Sequence, residues 1–273
     1  MSTDNRDDRM AGPPVGDIDV PDVVRELANG QPIMPVWENQ LGGLTFRLGD
    51  GETRRFVKWA ATGSGVDLAA ERDRLMWAGP YLRVPEVLDF GTDADQSWLV
   101  TAGLAGESAA SSRWKAEPAV AARAIGVQLR AVHDALPVET CPFSRSVETR
   151  LATGGREPSD ELLSAPDWRP DFRGVTVREA LRRVAEVPPI DALVVCHGDP
   201  CAPNTLITAD GRPAGVVDLG SMGVADRWAD IAVATWSADW NFGPGWQQAL
   251  LDGYGIDADP ERTEYYRLLW ELG

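Results

Sequence analysis

One stretch constrains the fold of this chain more than any other. It is Val194-Val195-Cys196-His197-Gly198-Asp199-Pro200-Cys201-Ala202-Pro203-Asn204, followed downstream by Asp218-Leu219-Gly220. It sets an acid, an amide and a second acid among short apolar runs. The runs at 193–196, 205–208 and 215–218 are predicted strands, and Asp210-Gly211 is the hairpin turn between the last two. The first acid and the amide therefore share one loop after a strand, and the second acid stands at the end of the hairpin.

Asp-x-x-x-x-Asn followed by Asp-x-Gly is the spacing of a phosphoryl-transfer catalytic loop and its metal-binding acid. In that chemistry Asp199 accepts the proton of a substrate hydroxyl, while Asn204 and Asp218 hold Mg²⁺ on the phosphates of ATP. Magnesium takes hard oxygen ligands, which a carboxylate, an amide and phosphate oxygens supply. Lys58, mid-strand in Phe56-Val57-Lys58-Trp59-Ala60, is placed to hold the α- and β-phosphates. Glu71, on a predicted helix at 66–78, would orient it by an ion pair; the competing partners for Glu71 are Arg72 and Arg74. Gly42 and Gly43, in Asn39-Gln40-Leu41-Gly42-Gly43-Leu44-Thr45, are candidates for a backbone cradle over the nucleotide, and a turn explains them equally well. The chain has neither G-x-x-x-x-G-K-[ST] nor G-x-S-x-G, which disfavours a P-loop kinase and a serine hydrolase.

Charge narrows the partners. The formal net charge is −16, which argues against nucleic acid. An acidic surface attracts a cationic substrate, and it also serves solubility alone. No apolar run is long enough for a membrane span. The polar, acidic N-terminus is not expected to be a secretory signal. Cys141, Cys196 and Cys201 read as free thiols in a reducing cytoplasm. His197 and His133 read as structural residues near the catalytic loop, since neither has partners at zinc spacing.

The layout is α+β and bilobal. Residues 1–20 read as a flexible lead-in, 21–102 as a β-rich nucleotide lobe and 103–273 as a helical catalytic and substrate lobe. Hairpins are expected at 44–59 and 87–101, and helices at 118–136, 176–185, 227–237, 246–254 and 260–272. Residues 154–174, rich in Pro and charge, read as a surface excursion.

These residues carry a resemblance. His-Gly-Asp-x-x-x-x-Asn, Val-Val-Asp-Leu-Gly and Ala225-Asp226-Arg227-Trp228-Ala229-Asp230-Ile231-Ala232 resemble the aminoglycoside phosphotransferases, small-molecule kinases similar in fold to protein kinases. The 70–77 segment, Cys141-Pro142-Phe143 and the cysteine-bearing catalytic loop are similar to the streptomycin 3″-phosphotransferase branch. The resemblance implies ATP and Mg²⁺ as cofactors, Asp199 as base, Asn204 and Asp218 as metal ligands, and Lys58 with Glu71 as the ATP-orienting pair. It implies a structural role for Asp226, Arg227 and Asp230. It also implies an acidic drug site, for which Asp239, Trp240 and Glu271 are candidates, with Asp167 or Asp171 from the excursion. The expected partner is a cationic aminoglycoside, with no nucleic acid or membrane partner and a monomeric chain. Two other readings stay open: a kinase for another small hydroxyl compound, and a catalytically silent kinase-like scaffold.

Overall fold

A run of β-formers broken by Gly and Asp turns builds the sheet of the N-terminal half in this computed structural model, which describes residues 11–154, 156–163 and 170–273. Five strands form one antiparallel sheet: β1 (Ile33–Glu38), β2 (Leu44–Leu48), β3 (Arg55–Ala61), β4 (Val87–Thr92) and β5 (Gln96–Ala102). Their order is β1-β2-β3-β5-β4, so both expected hairpins are present and β3 is central. β1 lies at the edge and carries Pro35, with a register shift between Pro35 and Trp37. An edge strand tolerates the missing N–H of proline. Two helices accompany the sheet: α1 (Asp22–Ala28) and α2 (Leu68–Ala78). Asp67 caps α2 by accepting from the Ala70 N–H at 2.8 Å. Val24, Ala28, Phe46, Leu48, Val57 and Val100 form a small core. Part of the expected lead-in is built into this unit. Gly12 exchanges backbone hydrogen bonds with Glu38, and Ile18 and Val20 pack on the core; residues 1–10 lie outside the described residues.

The chain divides into two compact units. One runs to Ala105, apart from Tyr81–Arg83; the other comprises those three residues and Gly106–Gly273. The second unit is mostly helical: α3 (Ser112–Lys115), α4 (Pro118–Ala135), α5 (Val147–Gly154), α6 (Val177–Val184), α7 (Trp228–Phe242), α8 (Gln247–Tyr254) and α9 (Pro260–Leu272). Its short strands are β6 (Glu107–Ser108), β7 (Leu193–Cys196), β8 (Thr205–Ile207), β9 (Pro213–Val216) and β10 (Gly223–Asp226). They form a β6-β8-β9 sheet and a β10-β7 pair.

Helix α7 is buried all round from Trp228 to Ala238; most of that run is apolar, and its polar residues Asp230, Thr235 and Ser237 all have hydrogen-bond partners. Helices α4 and α8 approach so closely that only glycine fits at the crossing. A Cβ on Gly126 would meet the Leu250 carbonyl at 2.0 Å, and one on Gly253 the Arg123 carbonyl at 2.3 Å. No described helix is long and apolar enough to cross a membrane.

Candidate active site

The second unit brings together three of the residues singled out by spacing. Strand β7 delivers the chain into Gly198-Asp199, a short 3-10 helix (Ala202–Asn204) turns it back, and β8 and β9 return it to Asp218. Buried Asn204 donates through Nδ2 to the Asp199 carbonyl at 3.0 Å and to Asp199 Oδ2 at 3.2 Å. The Val217 N–H donates to the Asn204 carbonyl at 3.0 Å, which fixes the hairpin end to the loop. Asp218 itself has φ 65°. That left-handed backbone costs a non-glycine residue about 1–2 kcal/mol, and such strain gathers at functional positions.

Asp199 has the setting of a base. Its Oδ1 is buried and has no hydrogen-bond partner among the described residues. Burial, and then the neighbouring Asp218 charge, push its carboxyl above the usual carboxylate range. The donor set also fits Mg²⁺. Asn204 directs its amide N–H to Asp199, so its amide oxygen and the Asp218 carboxylate are the hard oxygen donors the loop system would offer such a cation.

Asp230 on α7 organises this loop. Its Oδ2 accepts from the His197 N–H at 2.6 Å and its Oδ1 from the Gly198 N–H at 2.9 Å. His133 of α4 lies 3.0 Å from Oδ2 through Nε2 and bonds the Tyr254 hydroxyl through Nδ1 at 2.8 Å. Burial opposes ionisation of Asp230, but the His133 contact, the neighbouring His197 and the Gly198 amide outweigh it and hold the carboxyl below its ordinary value. Gly198 sits at φ 89°, where a Cβ would meet the Ser221 carbonyl at 2.0 Å. The His197 ring spans from the Asp199 N–H to the Val217 carbonyl at 3.0 Å. Both histidines are therefore structural, as expected from the sequence. Asp226 acts likewise, accepting from the Asp191 and Trp228 amides. Donor atoms of His133, Cys196 and Asp230 lie within 4.8 Å of one another. The Asp230 carboxylate is already engaged by three donors, and the Cys196 thiol, pushed up by burial, donates to the Asp226 carbonyl, so the three are part of the buried packing around the loop.

The first unit holds the second group of candidates. Lys58 stands on β3, opposite Thr45 on one side and Leu99 on the other. Its Nζ contacts both oxygens of Glu71 on α2, at 2.7 and 2.8 Å. Glu71 is buried, and it pairs with Lys58 as the sequence led us to expect. The glycines have another use. The Leu41 and Gly43 amides donate to Asn39 Oδ1 at 3.0 and 2.7 Å, and the Gly42 amide donates to the Asn39 carbonyl at 3.0 Å. These N–H groups are committed to the β1–β2 turn, so as it stands the loop offers none of them to a phosphate.

The acceptor candidates divide. Asp239 and Trp240 are half-buried near the end of α7, and Glu271 is buried in the last turn of α9. Burial raises the Asp239 carboxyl; its Oδ2 accepts from Gln247, and its Oδ1 has no hydrogen-bond partner among the described residues. Asp171 pairs with Arg267 at 3.3 Å. Asp167 lies outside the described residues. Sequence reasoning passed over three side chains that shape this region: Gln247, Arg267 and Arg150. Arg150 donates to the Leu269 and Gly273 carbonyls at 3.2 and 3.1 Å, holding the last turn of α9, and burial lowers its pKa to about 9. A lone polar residue in an amphipathic helix gives no sign of such a destination.

Comparison with known proteins gives this geometry a context. The family model described as "Phosphotransferase enzyme family" (APH) matches residues 37–266. An aminoglycoside 3′-phosphotransferase of Streptomyces fradiae is 36% identical over 223 residues, covering 78% of this chain and 82% of the relative. The crystal structure of a type VIII aminoglycoside-3′-phosphotransferase superimposes with TM-score 0.72 at 32% identity, covering 92% of this chain and 98% of that one. APH(3″)-Id of Streptomyces rimosus, solved with ADP and streptomycin, gives TM-score 0.63 at 28% identity, covering 93% and 99%. The kinase-like α+β fold expected from the sequence is the fold of these neighbours. The chain belongs to the APH phosphotransferase family.

Proposed function

We propose that this chain transfers the γ-phosphoryl group of ATP to a hydroxyl of an aminoglycoside, and that its acceptor is streptomycin at the 3″-hydroxyl. The observation that carries the reading is the assembly of Asp199, Asn204 and Asp218 on one strained, heavily bonded loop system. Asp199, raised by burial, takes the proton of the acceptor hydroxyl as that oxygen attacks phosphorus. Asn204 and Asp218 would hold Mg²⁺, which neutralises charge on the phosphates when bound. Lys58, steadied by Glu71, contacts the nucleotide phosphates. The chemistry is positioning plus electrostatics, so these side chains suffice without a covalent intermediate. A reducing cytoplasm suits the three free cysteines.

The acceptor choice rests on charge. Streptomycin carries guanidinium groups, which carboxylates bind in bidentate fashion. A net charge of −16 favours its approach. A second reading, transfer to the 3′-hydroxyl of another aminoglycoside, is favoured by the 36% identity to the Streptomyces fradiae enzyme. Product analysis by NMR after turnover with streptomycin and with a 3′-hydroxyl aminoglycoside separates the two. The expected product is streptomycin 3″-phosphate; phosphorylation of the 3′-hydroxyl compound alone would replace the first reading by the second.

Two further outcomes are expected. Asp218→Ala should weaken Mg²⁺-dependent ATP use more than Asn204→Ala, because a carboxylate holds the hard cation more strongly than an amide does. A Mg²⁺ titration with unchanged apparent affinity in both variants would remove the metal assignment. Lys58→Met should lose on the order of 10²-fold in kcat/KM for ATP, with Glu71→Gln milder because the amide still accepts a hydrogen bond from Lys58. Initial rates at varied ATP check this, and Michaelis constants for ATP equal to wild type in both would show the pair to be structural only.

A further inference from the structure

Arg267 is a buried guanidinium with four destinations. From α9 its Nε donates to the Ala232 carbonyl at 3.2 Å, and its Nη1 to Asp171 Oδ2 at 3.3 Å. Its Nη2 donates to Thr235 Oγ1 at 3.2 Å and to Gln247 Oε1 at 3.4 Å. Gln247 passes the contact on, donating through Nε2 to Asp239. The guanidinium also lies over the Trp236 ring, 5.4 Å from its centroid. Trp236 in turn packs on Trp240 at 5.0 Å between centroids, and edge-to-face on Phe172 at 5.9 Å. Glu271 follows Arg267 by one turn of the same helix.

One side chain thus reaches the 170–172 turn, both helices α7 and α8, and the helix that carries Glu271. Asp171 touches it directly, and Asp239 and Trp240 are each one intermediary away, through Gln247 and Trp236. A lysine cannot reproduce this. Its single ammonium lacks the planar fork that serves a carbonyl, a hydroxyl, an amide oxygen and a carboxylate at fixed angles. Arg267 is buried, and four of its five N–H donors are engaged by protein groups. The role proposed for it below runs through the residues it holds.

We propose that Arg267 is a positioning residue for the acceptor site, setting the 170–172 turn and the Asp239–Trp240 end of α7 against α9. The proposal rests on the reading that Asp239, Trp240 and Glu271 meet the acceptor. It gives a specific kinetic signature. Loosening an acceptor-binding wall costs ground and transition states alike, so KM for the acceptor rises while kcat holds.

The test is steady-state kinetics on Arg267→Met, Arg267→Lys, Asp171→Asn and Gln247→Leu, with Asp239→Asn and Glu271→Gln as references, using streptomycin and the 3′-hydroxyl aminoglycoside as acceptors. Arg267→Met should raise acceptor KM about tenfold, leaving kcat and the ATP KM within about twofold. Arg267→Lys should recover part of the loss. Asp171→Asn and Gln247→Leu, each cutting one arm, should raise acceptor KM about threefold. They keep the proposal testable if Arg267→Met fails to fold. Unchanged acceptor KM in Asp171→Asn and Gln247→Leu would overturn the proposal if Asp239→Asn or Glu271→Gln raises it. A flat response to Asp239→Asn and Glu271→Gln instead overturns the acceptor-site reading itself. A parallel fall in kcat with a rise in both Michaelis constants would show Arg267 to be a general structural residue and would also overturn the proposal.

Discussion

Asp199→Asn is expected to cut kcat by roughly 10²–10⁴-fold while ATP binds nearly as in the wild type. The substitution is nearly isosteric. It removes a carboxylate whose Oδ1 is buried without a hydrogen-bond partner among the described residues, and whose proton affinity is raised by burial and by Asp218. The backbone carbonyl of residue 199 still accepts from Asn204, so the loop keeps that anchor. In the proposed reading the nucleotide is held by Lys58, Asn204 and Asp218, which is why its affinity should survive. Turnover assays with calorimetric titration of a non-hydrolysable ATP analogue check both halves. More than about a tenth of wild-type kcat would exclude Asp199 as the general base.

The second large effect is on stability. Asp230→Ala is expected to destabilise the protein by about 3–5 kcal/mol, as breaking a buried charged network does. It orphans the His197 and Gly198 amides and one nitrogen of the His133 ring, all buried. Chemical denaturation of the two proteins measures it, and a difference below about 1 kcal/mol would mean that the loop is held elsewhere. The same carboxylate has a pH signature. Its folded pKa lies below the ordinary 3.8, so its contribution is complete above that value and is lost as pH falls below it. Wild type should therefore lose more stability than Asp230→Ala between neutral pH and pH values below about 4.

Much of this was legible in sequence because chemistry fixes spacing over short distances. Asp199 and Asn204 must share one tight loop, and Asp218 must end the hairpin that follows. Five residue positions and one turn leave little freedom. Lys58 and Glu71 were legible in part: a lysine amid apolar strand residues calls for an acid, and Glu71 stood on the next helix, but only the fold chose Lys58 over Arg72 and Arg74 as its partner. What escaped was decided by tertiary context. Strand β1 contains Pro35, which argues against a strand until the strand is known to be an edge. Strand β10 is four residues long, begins with Gly223 and exists because β7 pairs with it. Helix α5 sits in the stretch between Cys141 and the excursion; its buried Arg150 finds carbonyl partners more than a hundred residues later in the chain. Arg267 looked like one more helix charge until its four partners, none of them near it in sequence, were in place. The glycine pair shows local chemistry at work. The Asn39 side chain takes the Gly43 amide and the Asn39 backbone carbonyl takes the Gly42 amide, so the turn meets both donors within its own few residues.

In the proposed reaction this chain phosphorylates a hydroxyl of a cationic aminoglycoside, with Asp199 as base. The most direct measurement is transfer of radiolabelled phosphate from ATP by the purified protein and by Asp199→Asn, across a panel of aminoglycosides with a neutral sugar and a simple amino alcohol as controls. Label should move to an aminoglycoside, with streptomycin the first acceptor expected, and the Asp199→Asn rate should fall by at least a hundredfold, the lower bound of roughly 10²–10⁴. Transfer only to the neutral sugar or the amino alcohol, or transfer to no acceptor despite ATP binding, would contradict the account.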